Sequence, residues 1–149
     1  MRRKAMLVGV VATVAIAGGA LVASPAAATA PEPVQITGPI ASDGTGTFTA
    51  IGPVCPSGTN ATLLDQVVSR SGKQIQILVV HEFTCDDGSG SFQLSLQVHL
   101  VFQPFSDTFT WTVLSGTGAY EKLHGTGTGS GVPTDTGIVD SYTGAVHVD

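Results

Sequence analysis

The sequence is short of charge, and of cations above all. Asp, Glu, Lys and Arg make up 11% of the 149 residues, and three of the six basic residues sit together as Arg2, Arg3 and Lys4. From residue 29 onward only Arg70, Lys73 and Lys122 stand against all 11 acidic residues. A chain this acidic, with scattered cations, has no electrostatic footprint for nucleic acid or an anionic lipid surface, so neither is expected as a partner. Nucleophile chemistry is missing too: there is no Gly-x-Ser-x-Gly elbow. His81, His99, His124 and His147 lie on separate segments, and none pairs at the i, i+2 or i, i+4 spacing that aims two imidazoles at one ion. Asp86-Asp87-Gly88-Ser89-Gly90 lacks the later bidentate Glu of a calcium loop and reads as a turn. No metal or other cofactor is expected.

Long apolar runs are missing as well, with one exception at the start. Residues Ala5 to Ala23 are apolar, follow the basic triplet and lead into Ser24, Pro25, Ala26, Ala27 and Ala28. A charged n-region, an h-region and small residues before a cut describe a signal peptide over 1–28, cleaved after Ala28. Gly18 and Gly19 interrupt the run, which is barely long enough to span a bilayer. No cysteine follows the leader to take a lipid, so the expected product is secreted and extracellular, without a stable membrane anchor. The alanine-rich leader is of bacterial type, which demotes Asn60-Ala61-Thr62 as a glycan acceptor. The remainder has the length of one domain, able to bury roughly two-thirds of its unfolded surface.

The two cysteines, Cys55 and Cys85, both fall in that remainder. An exported chain meets oxidising conditions, and a pair of cysteines there reads as a disulfide. A reactive thiol would want a nearby cation, whereas Cys85 is followed by Asp86 and Asp87.

Residues 29–45 are rich in Pro, Ala and Thr and read as a flexible N-terminal arm with one short strand near Val34 to Ile36. Residues 46–149 read as the folded domain. There Phe92, Leu94, Leu96, Val98, Leu100 and Phe102 alternate with mostly polar partners, a period of two that no helix places on one face. Ile75, Ile77, Val79, His81, Phe83 and Cys85 share one side of the preceding segment, and residues 86–90 make the turn of a long hairpin. Phe109, Trp111 and Val113 share a face against Thr108, Thr110 and Thr112. With segments near 46–51, 63–70, 125–132 and 136–148, seven to eight strands emerge. Only 119–123 suggests a helical turn. Short connections and one apolar face per strand predict a single all-β antiparallel barrel of about eight strands, with a β-sandwich as the alternative. An eight-stranded interior is either filled by side chains or holds one small ligand.

The most distinctive stretch is Ser115-Gly116-Thr117-Gly118-Ala119-Tyr120-Glu121-Lys122-Leu123-His124-Gly125-Thr126-Gly127-Thr128-Gly129. Gly116 and Gly118 permit positive φ where a strand breaks into one helical turn. Tyr120 and Leu123, three apart, can both point inward. Gly125, Gly127 and Gly129 share one face of the next strand and leave room for a close backbone or a large side chain opposite. No Lys followed by Ser or Thr comes after these glycines, so they are not a phosphate loop. This Gly-Thr-Gly-x-aromatic, x-x-Leu-x-Gly pattern with its glycine-spaced strand resembles the allene oxide cyclase-like barrel superfamily, which includes the dirigent proteins, and within it a secreted bacterial branch. The resemblance runs from about Trp111 to Gly144. It implies an eight-stranded barrel plugged at one end, a hydrophobic cavity and homo-oligomerisation, and it transfers no catalytic residue.

Parity puts His81 on the apolar face of its strand, and Asp140 on one face with Ile138 and Tyr142. A carboxylate and an imidazole buried together would have perturbed pKa values, the usual mark of acid or base work, although a hydrogen-bonded core pair, or a bulge that turns either residue outward, is the plainer account. The leading expectation is a secreted barrel that binds a small hydrophobic molecule, with His81, Trp111, Asp140 and Tyr142 as candidate ligand contacts beside Ile77, Phe92 and Leu96. The alternatives are a cyclase- or isomerase-type enzyme steered by His81, Asp140 or Tyr142, and a structural or interaction module with a filled interior.

Overall fold

Alternation of apolar and polar residues becomes eight strands in a computed structural model that describes residues 29–149; the expected leader, residues 1–28, lies outside the described residues. The strands are β1 (Glu32–Ala41), β2 (Thr45–Ile51), β3 (Ser57–Ser71), β4 (Gln74–Cys85), β5 (Ser91–Phe102), β6 (Phe105–Gly116), β7 (Leu123–Pro133) and β8 (Gly137–Val148). Each pairs antiparallel with its sequence neighbour, and β8 returns to β1, so the sheet closes as an eight-stranded barrel. The sandwich alternative is thereby excluded, because no sheet edge divides the strands into two layers.

The segment expected as a loose arm is mostly a stave of that barrel. β1 pairs with β8 along its whole length, from Glu32 opposite Val146 to Ala41 opposite Gly137. Val34, Ile36, Gly38 and Ile40 are its buried positions, while Pro33 and Pro39 point out to solvent. The proline and alanine content of 29–45 masked an alternation that was present in the sequence.

One end of the barrel is filled and sealed. Phe83 stacks on Phe92 with ring centroids 5.1 Å apart, Phe48 meets Phe83 edge-on at 5.1 Å, and Tyr120 meets Phe92 at 5.4 Å. Such offset and edge-to-face aromatic contacts add to the burial energy of the rings themselves. Tyr120 ends a single 3-10 turn, Gly118–Tyr120, which crosses this end as a plug; Leu123, at the start of β7, is buried beside it. Gly118, at φ +59°, turns β6 into the plug, and the Ala119 N–H donates to the Ser89 carbonyl at 2.8 Å, fastening the plug to the β4–β5 turn. The Cys55–Cys85 disulfide ties the β2–β3 loop to the end of β4 at the same rim.

Large side chains on β6 are matched to glycines on β7. Trp111 pairs with Gly127 and Phe109 with Gly129. A Cβ at Gly127 would fall 2.5 Å from Trp111 Cζ2, and one at Gly144 on β8 would meet the same atom at 2.5 Å. The indole therefore lies flat over two glycines, and its Nε1–H donates to the Thr128 carbonyl at 3.1 Å.

Two stability predictions follow from this packing. Gly127→Ala should cost about 3 kcal/mol or more in urea denaturation, because the added methyl would meet both the Thr143 carbonyl and the indole of Trp111. Trp111→Leu in the same chain should recover part of that loss, and strict additivity would refute the proposed contact. The Cys55→Ala/Cys85→Ala pair should lose about 3 kcal/mol, given the 30-residue span that the bridge closes.

Candidate functional site

The filled end leaves space at the other, where the connections between β1 and β2, β3 and β4, β5 and β6, and β7 and β8 lie. A cavity of about 430 Å³ opens there beside the 41–44 turn. Its walls are the inward aliphatic and aromatic positions Ile40, Ile77, Val79, Leu96, Val98 and Phe109, with Ile138 at one side. Ser42, Asp43, Thr62 and Asp65 ring the mouth, and His81, Asp107 and Asp140 supply the deeper polar groups.

Parity delivers those deeper groups. On β4, His81 continues the buried series Val79, His81, Phe83, and on β8 Asp140 and Tyr142 are two apart and face the interior together. β4 and β8 are not neighbours; they stand on opposite sides of the barrel, so their side chains meet across the lumen. The Tyr142 hydroxyl lies 2.8 Å from His81 Nδ1 and donates to Asp140 Oδ2 at 3.3 Å, while Nδ1 and Oδ2 are 3.9 Å apart. The Tyr142 hydroxyl therefore bridges the imidazole and the carboxyl group, and the direction of its contact with Nδ1 follows the tautomer of the ring.

Burial sets the charge state of this chain of groups. It pushes His81 down to about 4, so the ring is neutral at pH 7. It also pushes Asp140 up to about 7, with a further push from the Asp107 carboxylate, partly offset by the Tyr142 hydrogen bond. Asp107 is raised by its own burial, and Tyr142 is driven well above the usual phenol range by burial and then by Asp140. The two carboxylates approach each other because the strand between them carries a glycine. A Cβ at Gly131 would fall 2.8 Å from Asp107 Oδ2 and 2.9 Å from Asp140 Oδ1. Asp107 Oδ1 is buried without a hydrogen-bond partner.

Of the candidates from sequence, His81 and Asp140 line the cavity with Ile77 and Leu96, and Tyr142 joins the first two from beneath without being part of the wall. Trp111 is buried but is not in the cavity wall, being held over Gly127 and Gly144. Phe92 belongs to the aromatic cluster of the sealed end. Gly116, Gly118, Tyr120, Leu123, Gly125 and Gly127 build the plug and the strand leaving it, away from the cavity wall. Asp107 was missed, although a signal existed: it stands two residues before Phe109 and so shares its inward face. Asp43 and Asp65 were missed because only the closed barrel brings their turn and strand to one rim.

The two buried groups oppose one another in pH dependence. Between 3.8 and about 7 the folded chain retains an Asp140 proton that the unfolded chain has released, so this group lowers stability as pH rises through that window. Between 6.5 and about 4 the folded His81 stays neutral where the unfolded ring is protonated, so it lowers stability as pH falls. Asp140→Asn removes only the first effect. Its stability relative to the parent should therefore rise with pH, by roughly 4 kcal/mol between about pH 4 and pH 8 in urea titrations. Parallel profiles for the two proteins would contradict the buried assignment of Asp140.

No family model matches the chain, and no curated protein or solved structure matches it either.

Proposed function

We propose that this barrel is a secreted binding protein that takes one small, largely apolar molecule into its open end. The observation that carries the reading is the cavity itself: about 430 Å³, with an aliphatic inner wall and seven polar or charged residues at its rim and along its depth, four of them aspartates. That combination is the usual form of a small-molecule site. No Lys or Arg lines it, whereas four aspartates do. An anionic head group would meet only like charge, so the occupant is neutral or cationic at its polar end, which lies toward Asp107, Asp140 and His81. The leader pattern and the Cys55–Cys85 bridge support export, and among the described residues no helix is long and apolar enough to cross a membrane. The plug at 118–120 and the glycine-spaced β7 support kinship with the allene oxide cyclase-like barrels.

A second reading is favoured by the His81–Tyr142–Asp140 chain, in which Asp140, raised to about 7 by burial, exchanges a proton with a bound substrate in an isomerase-type reaction. Asp140→Asn separates the two readings, since an enzyme loses turnover while keeping its ligand.

Phenylbutanol, phenylbutylamine and phenylbutyrate share one apolar body and differ in head-group charge. Titrated by NMR, the alcohol and the amine should shift resonances of Val79, Leu96 and Val98, with phenylbutyrate binding about tenfold more weakly or less. Val98→Trp, which fills the cavity from its wall, should abolish the shifts while the protein stays folded. Absence of binding by all three would remove the carrier reading in favour of a module that works through its outer faces.

A further inference from the structure

β2 and β3 differ greatly in length, seven residues against 15, and their ladder covers only Thr45–Thr49 with Ser57–Ala61. Beyond Ala61 the Thr62 N–H still reaches the Gly44 carbonyl at 2.7 Å, but from Leu63 to Ser71 the strand is paired only with β4 among the described residues. Nine residues thus offer an unpaired backbone edge. Leu63, Leu64, Val67 and Val68 are exposed along it, at 52%, 39%, 48% and 56%. Proline and lysine, common guards of such an edge, are both missing from 63–71. An unpaired nine-residue edge with four exposed apolar side chains, guarded only by Asp65, Arg70 and the register shifts at Leu63 and Val68, is a template for another strand of matching charge.

The identity of that strand can be read from the charges on the edge itself. Asp65 pairs with Val79 and Arg70 with Ile75, and Val79 and Ile75 are both inward residues of β4, so Asp65 and Arg70 share a face. Five residues of regular strand would have put them on opposite faces. The register shift between Val67 and Ser69 inserts Val68 as an extra residue and brings them back into line. The edge is then complementary to itself.

We propose that β3 is a homodimer interface, in which the free edges of two copies pair antiparallel about a two-fold axis between Val67 and Val68. In that register Asp65 stands opposite Arg70 of the second copy, twice by symmetry, Val67 opposite Val68, and Gln66 opposite Ser69. Opposite residues of an antiparallel pair lie on one face, as Asp65 and Arg70 do, and opposite charges there attract. Registers centred on Asp65 or on Arg70 place like charges together and are disfavoured. Leu63, Leu64 and Asp65 also line the cavity mouth, so the second copy sits beside the opening and counters one of its four carboxylates. The interface does not depend on the ligand-binding reading.

The test is sedimentation velocity over a dilution series of the protein as its host produces it, with thermal melts to verify that each variant is folded. The parent chain should show a concentration-dependent dimer. Arg70→Asp and Asp65→Arg should each weaken it about tenfold, because each replaces two attractive pairs with two repulsive ones. The double variant Asp65→Arg/Arg70→Asp should restore it to within a few-fold of the parent, an outcome that only direct pairing of these two positions predicts. A parent chain that is monomeric at every concentration overturns the proposal. So does a dimer indifferent to the single reversals, or a double reversal that fails to restore it; either result would assign the edge to a different occupant.

Discussion

Closure of β8 onto β1 is the constraint from which the remaining structure follows. A closed sheet has one interior of fixed girth, and eight inward faces must fill it without leaving backbone groups unpaired. The chain meets this by pairing size against size across β6 and β7, with Trp111 over Gly127 and Phe109 over Gly129. With glycine at the inward positions 125, 127, 129 and 131 of β7, the rings occupy space that eight ordinary faces would have contested. The plug turn and the disulfide are then needed only at one end, where Tyr120, Leu123 and Cys85 close what the strands leave open.

Uneven filling gives the interior its chemistry. Aromatic volume is concentrated toward the plug, so the open half is walled by smaller aliphatic residues and keeps its space. Polar groups in that half sit in a low-dielectric surround and cannot all be charged. Neutral His81 and a proton-retaining Asp140 are the arrangement of least desolvation, with the Tyr142 hydroxyl between them satisfying one atom of each. Asp107 lacks such a partner for Oδ1. At the cavity wall this leaves one satisfied polar chain and the unsatisfied Asp107 Oδ1, where a ligand donor gains most from binding, while the buried Asn60 amide lies unpartnered elsewhere in the interior.

How much of this was legible in the sequence depended on distance along the chain. Alternation is a local property, so the run from Phe92 to Phe102 declared a strand, and its buried face as far as Val98; Phe102, expected on that face, is exposed at the strand's end. The glycine spacing of 125–129 likewise declared that something large stood opposite, without naming Trp111 or Phe109. Barrel and sandwich could not be separated, because the deciding fact is the pairing of β1 with β8. Proline and alanine content hid β1 itself. Parity correctly turned His81, Asp140 and Tyr142 inward, yet their meeting is a contact across the lumen between strands four apart, and no local pattern encodes it. Trp111 shows the converse: an inward aromatic is a fair ligand candidate until its neighbours are known to be glycines that it must cover.

The mouth and the free edge have a common origin in the shortness of β2. Where its ladder with β3 stops at Thr45 and Ala61, the wall of the barrel also stops, and the cavity opens between the 41–44 turn and residues 62–65. Had β2 run as far as β3 does, one extra strand-length would have sealed the edge and raised the wall around the opening. Access to the interior and an unpaired strand are thus two results of one truncation. A fold that keeps its cavity open in this way exposes a strand edge beside it, and the edge must be guarded by charge or occupied by another strand.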